Sequence, residues 1–154
     1  MMYNKIHDNN DRRIIMTKGI ACGGNWIVDH IKQIDLYPEE TTLANISEEI
    51  LNGGGCAFNV TVNLARFDPS LKLYAYGMTG NDKSGDFIHE ECSGYKNINT
   101  DGLKRISQEK TSYTDVFNVS STGKRTFFHY RGANKLFTPD MKVAYDDIKI
   151  FHLG

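Results

Sequence analysis

The chain reads as an α/β domain built on a parallel sheet, and three observations predict it. Its middle alternates strand, helix, strand, helix, the order that places helices against a parallel sheet. A two-stranded hairpin pattern follows, and an apolar strand, "IKIFHL", comes at residues 148–153.

Taken in order, residues 1–17 are polar and read as a disordered leader, in which Met16 offers a second start. Residues 19–22 and 26–36 are strand candidates. In the second, Ile27, Asp29, Ile31 and Gln33 share one face, and Val28, His30, Lys32 and Ile34 the other. Pro38 stops that strand, and 43–51 is a further extended segment. Ala57, Val60, Thr61, Leu64 and Ala65 recur at helical spacing and predict a helix over 57–66, ended by Asp68-Pro69. Residues 72–76 read as a strand, "GMTGNDKSG" as a turn, and 84–91 as a short helix that Asp82 caps. Residues 113–119 and 124–130, separated by "SSTG", predict a β-hairpin. Thr138-Pro139 opens a last short helix, with proline at its first position. The final strand reads as interior to a sheet, so its free edge is expected to invite association.

Composition limits the partners. The 154 residues carry 18 Lys+Arg against 19 Asp+Glu, with 40% hydrophobic residues, a balance that favours neither nucleic acid nor a membrane surface. Cys22, Cys56 and Cys92 are too widely spaced for a CxxC pair and read as reduced thiols, Cys56 as a small buried filler. The five histidines form no metal-ligand spacing. No apolar run is long enough for a signal peptide or a membrane span. The expected location is cytoplasmic, which makes the sequons at Asn45, Asn59 and Asn118 chance matches.

The most informative stretch is "NGGGCAFNVTVNLARF", three glycines directly before a helix. Bare backbone lets a ligand approach closely, and the amides at a helix start are free to donate. The Walker A spacing is absent, and the dinucleotide fingerprint fails because Phe58 stands where its third glycine belongs. A neutral polyol suits the turn, with Asn59 able to donate and accept, and with Asp29 able to accept from two adjacent hydroxyls.

"GGNWIVDHI", "GGCAFN", "GMTGNDKSGDFI" and "GKRTFFHYRGAN" occur in that order, and together they resemble the N-terminal half of the ribokinase family, the PfkB-type carbohydrate kinases, over about residues 18–154. The resemblance implies an α/β layer with a parallel sheet and a small β-sheet lid, formed from about 27–51 and 111–131, with the sugar between them. It implies that Asp29 accepts from sugar hydroxyls, and that Gly54, Gly55 and Asn59 form the turn holding the same sugar. Arg131 resembles an arginine that some relatives direct at sugar acids. Ile27 departs from the polar residue many relatives carry two positions before the acid. The family uses ATP and Mg2+, and its catalytic aspartate lies in a Gly-Ala-Gly-Asp segment that these 154 residues do not contain. The resemblance therefore implies a substrate-binding half that is inactive alone, without the ATP-binding half, and a homodimer through the lid. A non-catalytic sugar-binding or regulatory module is the rival reading. Sugars, sugar acids and nucleosides remain open as substrates.

Overall fold

The computed structural model describes residues 18–138, 143 and 145–154. The leader at 1–17 and the helix expected after Thr138 fall outside them. The described residues form two four-stranded sheets. The first runs β5(Ile98–Ile106), β4(Leu73–Gly80), β1(Gly19–Gly24), β8(Ile148–Leu153), all parallel. The second runs β3(Ile46–Gly54), β2(Ile27–Ile34), β6(Ser112–Val119), β7(Arg125–Tyr130), with β2 and β6 parallel and the outer pairs antiparallel. The chain leaves β1 to make β2 and β3, returns through α1(Cys56–Phe67) to β4, and enters the second sheet again after β5.

Helix α1 buries Ala57, Thr61 and Ala65 of the predicted face, with Phe58 and Val62 in place of Val60 and Leu64, which are only partly buried. Helix α2(Lys83–Ser93) buries Ile88 and Cys92 against the same core. Asp82 caps α2 by accepting from the Gly85 amide at 2.9 Å, and it also accepts from the Thr111 amide and hydroxyl. Burial raises the Asp82 pKa, but these donors outweigh that and hold it below the usual range. One carboxylate thus joins the start of α2 to the entry of β6.

Trp26 is the pivot between the sheets. It is fully buried, meets Phe58 edge-on at 6.1 Å, and donates its indole N–H to the Tyr76 carbonyl at 2.8 Å. Asn134, in a short 3-10 turn at Gly132–Leu136, holds both main-chain groups of Trp26. Its Oδ1 accepts from the Trp26 amide at 3.3 Å and its Nδ2 donates to the Trp26 carbonyl at 3.2 Å. The Asn134 amide donates to Ser112 Oγ, and that hydroxyl donates to the Arg131 carbonyl.

The structure corrects three sequence readings. "GMTGNDKSG" is not a turn throughout, because β4 continues to Gly80; Gly77 is bare because a Cβ there would stand 2.2 Å from the Trp26 ring. β5 escaped notice because only Leu103 of its nine residues is buried, as suits an edge strand. Cys56 is exposed rather than buried, since it opens α1 on the side away from the core. The free edge expected of the last strand is present: β8 pairs with β1 alone among the described residues.

Asn134→Ala would strand two buried groups of Trp26. It is expected to lower the unfolding free energy by about 2 kcal/mol, read from urea denaturation; an unchanged midpoint would contradict this role for the side chain.

Candidate functional site

The register of the second sheet assembles the site. Asp29 on β2 stands opposite Asn52 on β3 and Thr114 on β6, and Thr114 stands opposite His129 on β7. Directly paired residues project to one face. Asn52, Asp29, Thr114 and His129 therefore form a polar row across all four strands. The Thr114 hydroxyl lies 3.0 Å from His129 Nδ1. The next row toward α1 holds Gly54, Ile27 and Ser112, and the row on the other side holds Ile50, Ile31, Val116 and Phe127.

The three glycines have three separate reasons. At Gly53 a Cβ would lie 2.1 Å from the Phe58 ring. At Gly54 it would lie 2.3 Å from Asp29 Oδ2 and 2.7 Å from its Cγ. The Asp29 carboxylate thus rests on uncovered main chain, where any side chain would displace it. Gly55 has φ 85, a conformation L-residues rarely adopt, and it turns the strand directly into α1. No side chain caps that end of α1, and its first turn carries no acid. Its first amides are left without a side-chain acceptor beside a carboxylate. This is an arrangement that offers donors and an acceptor together to a group with hydroxyls.

Burial pushes the Asp29 carboxyl above its usual range, and hydrogen bonding by Thr114 and the charges of His129 and His30 reduce the rise without cancelling it. The Cys92 thiol, deep in the core, is pushed up to about 12 by burial, which keeps it protonated and inert.

The structure brings together Asp29, Gly54 and Gly55. Asn59 is exposed on the first turn of α1, where it donates its amide to the Gly55 carbonyl at 3.0 Å. It lines a cleft of about 290 Å³ with Asn52, Asn63 and Arg66. Asn52 is the residue that belongs to both this cleft and the polar row. Arg131 follows the end of β7 and is exposed, its carbonyl held by Ser112. Sequence reasoning missed Asn52, Thr114 and His129. Asn52 had a signal in its position beside the glycines; the other two are set only by strand pairing.

A parallel sheet carrying helices, joined at the carboxyl ends of its strands to a second sheet with a polar row, defines a ribokinase-like class of α/β fold. Residues 22–154 match the pfkB family carbohydrate kinases, and the chain belongs to that family. It is 25% identical over 133 residues to the ribokinase of Staphylococcus aureus (strain COL), covering 86% of this chain and 42% of the relative. The crystal structure of fructokinase from Xylella fastidiosa superposes with a TM-score of 0.70 at 28% identity, over 89% of this chain and 41% of that one. The nucleoside kinase of Methanocaldococcus jannaschii, at 21% identity, shares the fold with a TM-score of 0.74 over 88% of this chain and 44% of its own. The chain thus spans less than half the length of these relatives.

Because the fold disfavours the Asp29 charge, its cost to stability is present above the folded pKa and disappears below the unfolded one. Asp29→Asn is expected to be more stable than the wild type at neutral pH, with the gap closing as pH falls through the ordinary aspartate range. Urea melts across pH check this; a variant less stable at pH 7 would contradict it.

Proposed function

We propose that these residues form the acceptor-binding half of an ATP-dependent carbohydrate kinase, which transfers the γ-phosphate to a sugar hydroxyl. The observation that carries the reading is the Asp29 carboxylate seated against bare Gly54, beside the uncapped start of α1. In this reading Asp29 accepts from two neighbouring hydroxyls of the sugar, a charge-assisted pair that fixes the ring's orientation. Gly54 and Gly55 bring main chain close to it, and Asn59 and Arg131 are assigned to the same ligand. Family membership supports a carbohydrate substrate, and the ribokinase and fructokinases among the relatives support a small one.

The second sheet serves as the lid in this proposal, comprising the strands within about 27–51 and 111–131. Its polar row faces the sugar and its apolar row excludes water, which strengthens every hydrogen bond inside. The exposed hydrophobics on it, Ile50 and Phe127 among them, suit a homodimer through that sheet.

A fructokinase relative has been crystallised with bound ATP, which supports the same phosphate donor here. When bound, ATP with Mg2+ supplies the transferable phosphoryl group and neutralises its charge. In this reading the acceptor side is what this chain's own residues provide. The catalytic aspartate and the ATP site belong to a Gly-Ala-Gly-Asp-type segment that these residues do not include, and the 154-residue piece alone is inactive in this reading. No described helix is long and apolar enough to cross a membrane; a cytoplasmic enzyme is the location proposed.

In the intact protein, assayed with ATP and a panel of pentoses, hexoses and nucleosides, Asp29→Asn should lower kcat/KM by about 10- to 100-fold, equivalent to losing about 1.5–3 kcal/mol of hydrogen bonding to a charged acceptor. Phosphorylation of no member of the panel, or kinetics indifferent to Asp29, would refute the assignment.

A further inference from the structure

His129 closes the polar row on the β7 side, and it is exposed. Its Nδ1 lies 3.0 Å from the Thr114 hydroxyl, and Thr114 stands directly opposite Asp29 across the strands, where its hydrogen bonding lessens the rise of the Asp29 pKa. A hydroxyl has a single proton, and an ionised carboxylate can only accept. Where Thr114 gives its proton to Asp29, it can only take one from His129 Nδ1–H. In the neutral form of the ring the lone pair is then left on Nε2, at the far end of the imidazole. Among the described residues nothing donates to that nitrogen.

We infer that His129 is a specificity-determining residue of this site, its Nε2 accepting from a substrate hydroxyl on the β7 side while its Nδ1–H holds Thr114 against Asp29. The inference rests on the reading of Asp29 as the acceptor of substrate hydroxyls. Strands lie roughly 4.8 Å apart, which separates β2 from β7 by about 10 Å at the backbone. The ligand therefore presents an adjacent hydroxyl pair to Asp29 and a further hydroxyl on another carbon to His129. A compound lacking that third hydroxyl would leave Nε2 unpaired in the closed site and be rejected.

Two substitutions separate the ends of the ring. His129→Asn keeps a donor near the Nδ1 position and loses the outward acceptor; His129→Gln reaches the Nε2 position and loses the bond to Thr114. Binding of D-ribose, D-fructose and adenosine to the intact protein is measured by titration calorimetry, followed by the singly deoxygenated analogues of whichever binds. Thermal melts of both variants verify folding. His129→Asn is expected to weaken binding about tenfold, and His129→Gln by less than about threefold. The His129→Asn penalty should vanish for one deoxy analogue, and a different analogue should erase the Asp29→Asn penalty. Wild-type affinity in His129→Asn overturns the inference, as does an equal loss in both variants that persists for every analogue, the mark of a purely structural residue. If Asp29→Asn alone weakens binding, the inference fails and the sugar site stands. If Asp29→Asn also binds normally, or if no probe binds the wild type, the reading of the site fails and the inference with it.

Discussion

The contact between the Asp29 carboxylate and the uncovered α-carbon of Gly54 is the constraint on which the rest of the structure depends. It requires glycine at that place, since a Cβ would overlap the carboxylate oxygen at 2.3 Å. It requires β2 and β3 to pair in one register, because a slip of a single residue would carry Asp29 to the opposite face. It also places a charge where burial opposes it. A fold spends stability in this way where a ligand can return it, by donating hydrogen bonds to the ionised form.

Holding that contact in place falls to residues away from it. Trp26 sits immediately before β2, and the indole bond to Tyr76 fixes the start of the strand to the parallel sheet. Asn134 fixes the Trp26 main chain from the opposite direction, through a turn that follows β7. Both ends of the second sheet are thereby anchored at one buried tryptophan. Further out the sheet is lightly supported, with Ile50, Phe127 and Phe128 exposed, which suits the lid proposed for it.

The helices were legible in the sequence because their buried faces repeat at helical spacing: 57–66 was expected, and Cys56–Phe67 is observed. The hairpin was legible from its turn, which places Gly123 at φ 67. β5 was not, because a strand with one buried residue has no alternation to read. The glycines misled in part: the run reads as a turn into the helix, whereas Gly53 and Gly54 belong to β3 and are bare for the sake of Phe58 and Asp29. Asp29 itself could be singled out as an acid inside an apolar strand beside a recognisable motif. Thr114 and His129 could not, since nothing local in "SYTDVF" or "FFHYR" encodes which residue of a distant strand will lie opposite.

The central claim is that a polyhydroxylated ligand donates to the ionised Asp29 carboxylate. Its most direct measurement is the titration of that carboxyl by carbon-detected NMR, without and with saturating D-ribose, D-fructose or adenosine. Hydroxyl donors favour the charged form, so the bound ligand is expected to move the Asp29 pKa downward and shift its carboxyl resonance, while Asp35 and Asp68, already hydrogen-bonded within the chain, stay unmoved. An Asp29 titration identical in the free and saturated protein would contradict the account.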